Sequence, residues 1–406
     1  MIQSYDVVIV GGGIVGLTLA ASLADSSLSV AVIESHDGPM LSGQPANRVS
    51  AISYASRAIF EGLNIWQNIE HERITAYNRM QVWEKDSFGK IDFSAEQVDC
   101  AELGYIIENE RIQAALLQTV QKQDNVTFYA PEQLSNIAVG EREAWLTLKS
   151  GKNLTCKLVV AADGANSWLR KQLDIPLTHW DYNHHALVAT VKTELAHDNC
   201  ARQIFTPDGP LAFLPLFEKN LCSIVWSVPP EKAQQLQALS AVEFNKQLTR
   251  TFDNRLGHCE LQGECIRFPL KMRYARDFAK HRVALIGDAA HTLHPLAGQG
   301  VNLGLLDALS LAQSMIENHE ADADIGLYEN LRFFERWRKS EALQMIAAME
   351  LLKRLFQGAN PAQKALRDLA LLFTDKVSPL KKLFIKQAMG LSGELPEIVK
   401  NYHAGF

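Results

Sequence analysis

The chain has 406 residues, 47% of them hydrophobic and 21% charged, with a formal net charge of −6. That length supports roughly two or three domains with ample cores, and the acidic balance excludes a general nucleic-acid binder. Cysteines 100, 156, 200, 222, 259 and 265 show neither C-x-x-C nor zinc spacing, so reduced thiols of a cytosolic protein are expected. No uninterrupted apolar run approaches the roughly 18 residues of a spanning helix. The apolar start lacks the basic flank of a signal peptide.

The first element is Val7-Val8-Ile9-Val10, a continuous apolar run that predicts a strand buried on both faces. Gly11-Gly12-Gly13-Ile14-Val15-Gly16 follows and fits G-x-G-x-x-G. In that pattern Gly11 permits the tight turn, Gly13 lets the backbone approach a pyrophosphate, and Gly16 allows helix to pack on strand. The N-terminus of the ensuing helix offers free N–H groups to phosphate. A second strand is predicted over Val30-Ala31-Val32-Ile33, ending in Glu34. A carboxylate there accepts hydrogen bonds from an adenosine ribose. Strand, turn, helix and acid together predict a dinucleotide site.

Residues 36–47 read as an exposed loop. Arg48 comes next, placed either to meet a cofactor or to sit in solvent, and a helix starts near Ser53. Residues 77–94 predict a hairpin turning at Asp86-Ser87-Phe88-Gly89. A helix over 109–122 has Asn109 as its expected N-cap. Arg111 in its first turn opposes the helix dipole, which weakens a structural rationale and leaves a ligand contact as an alternative. Strands are predicted near 125–129, 144–149 and 157–161. The last runs into Asp163-Gly164 and a short helix, a second strand end of the kind where ligands bind, although an Asp-Gly pair by itself reads as an ordinary turn.

Residues 179–228 and 258–270 suggest an antiparallel sheet with one buried face, with a helix over 241–252 packed on it. Within it, Phe213, Leu214, Pro215 and Trp226 either line an apolar substrate channel or form plain core, and His185 opens a strand as either a candidate acid–base group or, more simply, a packed or solvated histidine. Val283-Ala284-Leu285-Ile286 returns to the buried-strand pattern. It runs through Gly287-Asp288-Ala289-Ala290-His291 and His294-Pro295 to Gly298-Gln299-Gly300-Val301-Asn302, where a helix to about 318 begins. Asp288 is placed to bind a polyol hydroxyl. His291 and His294 lack an accompanying carboxylate cluster, so capping and packing are expected of them and no metal site is.

These three motifs, in this order, resemble the single-component flavin aromatic hydroxylases of the para-hydroxybenzoate hydroxylase fold. More narrowly, the chain resembles the bacterial ubiquinone-biosynthesis hydroxylases, nearest to the branch acting on ring carbon 5 of a 2-polyprenylphenol. The resemblance implies an α/β fold: a Rossmann-like FAD-binding domain (1–76, 100–178, 272–325), an inserted antiparallel-sheet substrate domain (77–99, 179–271), and a C-terminal helical region (326–406). It implies FAD bound by Gly11, Gly13, Gly16, Glu34, Arg48, Arg111, Asp163, Gly164, Gly287, Asp288, Gln299, Gly300 and Asn302, with Pro295 and Gly298 bordering the reactive ring. NAD(P)H would be the electron donor, and molecular oxygen would react through a flavin C4a-hydroperoxide to hydroxylate a polyprenyl phenol. A flavin-dependent reductase of an isoprenoid and a hydroxylase of another small phenol are the alternatives.

Residues 326–390 are helical in pattern. Lys381, Lys382 and Lys386 interleave with Leu380, Leu383, Phe384 and Ile385, which suits either a membrane surface or docking on protein. The expected location is the cytoplasm, with peripheral contact at the inner face of the membrane. Other ubiquinone-biosynthesis proteins and a second copy of the chain are the expected protein partners.

Overall fold

The computed structural model describes residues 2–292, 299–356, 378–391 and 393–403. The fold is mixed α/β, built on two eight-stranded sheets and one three-stranded sheet. The first sheet has a parallel centre. The strand Gln3–Val10 pairs on one side with Val30–Ile33 and on the other with Asn153–Ala161, which in turn pairs with Val283–Leu285. Val7, Val8 and Ile9 are completely buried, because helices Ile14–Ser22 and Gln299–Glu320 pack together over this sheet. Continuous apolar strands are buried on both faces, and these two helices cover one of them.

The second sheet is largely antiparallel. Its two longest strands, Leu177–Thr193 and Cys259–Ala275, have 17 residues each. Breaks in register fall between Asp181 and His185 and between Val188 and Thr190, and Asn183 takes a positive φ of 51°. These bulges let one strand bend while remaining paired. The hairpin Arg79–Glu84 with Lys90–Ser94 joins this sheet, through parallel pairing with Cys200–Thr206. One sheet face is covered by helices Pro230–Gln237 and Ala241–Thr251 over a core that includes Leu187, Ile204, Phe213, Ile224 and Trp226. Ser240 caps the second helix in a reciprocal box with Glu243.

The third sheet, Val49–Ser53, Gly104–Glu108 and Thr75–Tyr77, buries Ile52, Tyr105 and Ile107 in the core of the first sheet. Leu214 of the second sheet packs with Ala51 and Ile106 of the third.

Two sequence expectations shift, at Asn109 and His185, and the C-terminal helices show where their apolar faces go. Glu108, not Asn109, holds the N-cap position of helix Asn109–Val120 and makes no side-chain cap, while the Asn109 Oδ1 accepts the Ser50 hydroxyl at 2.7 Å. His185 does not open a strand: it lies eight residues inside one, just after a bulge. The C-terminal helix Tyr328–Phe356 buries Phe334 and Ile346 but leaves Phe333, Leu343 and Leu351 exposed. Helix Ser378–Ala388 docks on protein, with Ile385 and then Met389 buried against Tyr54, Ala95 and Leu103.

Candidate active site

Parallel register brings the three motifs together. Val10 is level with Ile33 and with Ala161, and Ala161 is level with Leu285. Gly11, Glu34, Ala162–Asp163 and Gly287–Asp288 therefore share one edge, outside the carboxyl ends of adjacent strands. That edge is where open α/β sheets bind ligands.

The glycines divide by what a side chain would meet. A Cβ on Gly11 would lie 2.4 Å from the Ala162 carbonyl oxygen, at a φ of +111°. One on Gly16 would lie 2.0 Å from the Gly11 carbonyl oxygen. A Cβ on Gly13, Gly164 or Gly300 would meet nothing within 4 Å. The first two glycines are needed by the fold, whereas the other three border open space. Gly13 is also the N-cap of helix Ile14–Ser22 and provides no side-chain bond to it, so the helix's first N–H groups face that space.

Glu34 is held from below. Its Oε2 accepts the Gly12 N–H at 2.6 Å, and its Oε1 accepts from the Ser35 hydroxyl and the His36 N–H, each at 3.0 Å. Burial pushes its carboxyl pKa up, but these hydrogen bonds outweigh burial and leave it below the usual value. It is an ionised acceptor at neutral pH. Gln113, unnoticed in the sequence, fastens the same turn by donating to the Gly12 carbonyl at 2.8 Å.

Asp163 uses one oxygen structurally. Its Oδ2 accepts the Trp168 and Leu169 N–H groups at 2.7 and 3.1 Å. Its Oδ1 is buried and has no partner among the described residues, an arrangement that costs free energy unless a ligand completes it. Arg170 ties this motif to the third by donating to the Ala165 and Ala289 carbonyls at 3.0 and 2.7 Å.

Asp288 reaches solvent yet has protein packed closely around it. That desolvation pushes its carboxyl pKa up, against the pull of His291, Arg48 and Arg273. Arg48 is exposed and stands over the Phe268 ring, with its guanidinium carbon 5.3 Å from the centroid. Asn302 spends its amide on structure, accepting from the Ser53 N–H at 2.9 Å and donating to the Ala51 carbonyl at 2.8 Å. Pro295, Gly298 and His294 lie outside the described residues, as does the side chain of Gln299.

Arg111 has protein partners that the sequence did not reveal. It lies 2.5 Å from Glu70 Oε1 and 3.5 Å from Glu108 Oε2, and it donates to the Ser42 carbonyl at 2.6 Å. Arg73 makes a two-point contact with the same Glu108 at 2.7 and 2.8 Å. Together they strap the 42–46 segment down ahead of Arg48.

The second sheet separates the expected substrate-lining residues. Phe213 and Trp226 belong to the helix-covered core, where Phe213 stacks on Phe252 with centroids 3.7 Å apart. His185 pairs with Val228 of that same core, and its Nδ1 is buried without a partner among the described residues. The opposite face is different. Leu214 packs there with Ala51 and Ile106, and Phe268 meets Arg48. A cross-strand row of Ile266, Val188, Val225 and Ala212 runs across it. None of those four side chains is charged.

A family model described as "FAD binding domain" matches residues 4–333. The 3-demethoxyubiquinol 3-hydroxylase of Escherichia coli strain K12 is 35% identical over 96% of this chain and 99% of its own. The chain belongs to the FAD-binding monooxygenase family of ubiquinone-biosynthesis hydroxylases. The mitochondrial ubiquinone biosynthesis monooxygenase COQ6 of Homo sapiens is 32% identical over 93% of this chain and 91% of its own. Among solved structures, p-nitrophenol 4-monooxygenase from Pseudomonas putida DLL-E4 superposes with a TM-score of 0.80 at 20% identity, covering 97% of this chain and all of that one. The fold is thus that of the para-hydroxybenzoate hydroxylase group. This hydroxylase is an FAD-dependent monooxygenase, with NAD(P)H the donor typical of its family. The open space at Gly13 and the unpartnered Asp163 Oδ1 suit a dinucleotide. Among the described residues no helix is long and apolar enough to cross a membrane.

Proposed function

We propose that this enzyme hydroxylates the aromatic ring of a polyprenylated phenol in ubiquinone biosynthesis. The observation that carries the reading is the near full-length similarity to the Escherichia coli 3-demethoxyubiquinol 3-hydroxylase. The uncharged row Ile266, Val188, Val225 and Ala212 supports it, because an apolar ring without a carboxylate needs apolar contact and no cation.

In this reading the chain's residues have distinct tasks. Gly13 and the helix N-terminus behind it receive the FAD pyrophosphate. Glu34 accepts from the adenosine ribose. Asp163 turns its free oxygen to the cofactor, and Asp288 takes a ribityl hydroxyl. Arg48 lies between Asp288 and the substrate sheet. Arg111 and Arg73 act one step away, by holding the strap that delivers Arg48. Bound FAD, once reduced by NAD(P)H, supplies the oxygen-activating chemistry. The sheet face around Leu214 and Val225 excludes water and fixes the ring against the flavin. His185 is set aside as an acid–base group in this reading, because its strand partner belongs to the helix-covered face.

A lipid-like substrate makes a membrane surface useful, and Lys382 and Lys386 stay exposed on a helix whose Ile385 is buried. Reversing both charges is expected to reduce co-sedimentation with anionic vesicles, and equal sedimentation would rule this contact out. The catalytic reading is tested with purified holoenzyme, NAD(P)H and a short-chain 2-polyprenylphenol. A hydroxylated product is expected, and cofactor oxidation that ignores the phenol would refute the assignment.

A further inference from the structure

A fully buried ionic cluster lies behind Asp288, and no task described above uses it. Asp307, His291 and Arg338 have side chains only 1% exposed. Asp307 sits on the helix Gln299–Glu320, His291 at the end of the Gly287–His291 loop, and Arg338 on the C-terminal helix Tyr328–Phe356. A single oxygen, Asp307 Oδ2, accepts the Gly287 N–H at 3.0 Å and the His291 Nε2–H at 2.6 Å. These are the residues just before Asp288 and three after it. The other oxygen, Oδ1, accepts from Arg338 Nε at 2.7 Å, while Arg338 also donates to the Leu303 carbonyl at 3.3 Å.

One carboxylate therefore holds both ends of the loop that presents Asp288. Burial pushes the Asp307 carboxyl pKa up, but His291 and Arg338 outweigh burial and hold it below the usual value, so it stays ionised. A buried ionic cluster is a poor source of net stability, because well-packed apolar residues do as well or better. Its return here is geometric: Gly287 has a φ of +58° and packs against Val15 of the first helix, and the cluster fixes that turn on its other side.

We infer that Asp307 is the positioning residue of the ribityl loop, acting through His291, and that Arg338 makes the C-terminal helix part of the flavin site. The inference rests on Asp288 as a ribityl ligand but not on the identity of the phenol. Asp288 would touch FAD directly, whereas the cluster would act only by aiming Asp288.

The test compares FAD release from purified holoenzyme, followed by flavin fluorescence after dilution, and the visible absorption spectrum of the bound flavin. His291→Ala leaves the Asp307–Arg338 pair intact and is expected to release FAD roughly tenfold faster, the size of one lost hydrogen bond to a charged group. It is also expected to alter the flavin spectrum. His291→Gln, which can still donate to Asp307, is expected to restore both. Arg338→Lys keeps the charge but cannot serve Asp307 and Leu303 together, so an intermediate release rate is expected even where His291→Ala fails to fold. Unchanged release and spectrum in the variants would overturn the inference. So would a lower Tm with an unchanged spectrum, which is what a purely structural cluster gives. Asp288→Asn, run in parallel, separates the two claims: fast release there with none in the cluster variants sinks the cluster alone. Normal release in Asp288→Asn sinks the ribityl assignment beneath it.

Discussion

Replacing Gly13 by alanine separates cofactor binding from folding more cleanly than any other single change. The Gly13 backbone has φ −76° and ψ −179°, which alanine adopts freely. Its new Cβ would meet nothing within 4 Å. Alanine restricts the unfolded chain and stabilises by about 0.4–1 kcal/mol, while its poorer N-cap preference costs about 0.5–1 kcal/mol. The two nearly cancel, so the Tm of cofactor-free protein is expected to move by no more than ~4 °C. The methyl group does enter the space assigned to the pyrophosphate. Displacing the phosphates from the helix N-terminus forfeits charge-assisted bonds of roughly 1.5–3 kcal/mol each, a loss of about ten- to a hundredfold in FAD affinity. Gly16→Ala is the control, since its Cβ would lie 2.0 Å from the Gly11 carbonyl oxygen. There the helix must leave the strand, and unfolding is expected with or without FAD. Fluorescence titration with FAD and thermal melts read both outcomes. Wild-type FAD affinity in Gly13→Ala would refute the pyrophosphate assignment.

Asp288→Asn is expected to weaken FAD retention while leaving the cofactor-free fold as stable or more so at neutral pH, because desolvation disfavours the native charge; a drop in stability measured by urea titration would contradict this. Phe213→Ala is expected to cost about 3–5 kcal/mol through a cavity in the helix-covered core without altering which phenol is turned over. Leu214→Ala is expected to raise KM for a prenylated phenol, and the opposite pattern would reverse the assignment of the two sheet faces. Asp6 has a carboxyl pKa below its usual value: burial pushes it up, but Lys157 and Ser29 outweigh burial. Its folded form thus holds its charge while the unfolded form takes up a proton, so its stabilisation is present above the unfolded pKa near ~4 and is lost as pH falls. Melts of Asp6→Asn between roughly pH 5 and pH 3 should show a shallower loss than wild type, and parallel curves would remove Asp6 from the account.

The sequence made the nucleotide half of the fold legible because Val7–Val10, Val30–Ile33, Leu158–Ala162 and Val283–Ile286 are short unbroken apolar runs, each followed by a glycine or an acid. Val10, Ala161 and Leu285 stand level in the sheet, as the repeated pattern implied. The third sheet was illegible by contrast. Gly104–Glu108 is buried along its whole length, yet it opens with glycine and closes with glutamate, so it resembles a loop. Leu134–Val139 escaped notice because only Leu134 is buried. In the second sheet, Asp181, Asn183 and Pro269 look like breaks, but bulges absorb them within two long strands.

Side-chain partnerships were harder still. Nothing local to Arg111 announces Glu70 or the Ser42 carbonyl, which reach it from distant segments. His291 was read without a carboxylate partner because Asp307 lies one loop and two helical turns further on, and Arg338 comes from another helix altogether. Alternation along Leu211–Trp226 could have separated Phe213 from Leu214, since neighbouring strand residues point to opposite faces. Which face carried the helices became clear only from the fold.

The most direct test of the central claim is oxygen-isotope tracing in a single turnover. Holoenzyme, NAD(P)H, heavy-isotope molecular oxygen and a 2-polyprenylphenol are mixed, and the phenol is examined by mass spectrometry. A product carrying one labelled oxygen on the ring is expected, formed in step with NAD(P)H oxidation. NAD(P)H oxidation that yields only hydrogen peroxide, with the phenol recovered unlabelled, would contradict it.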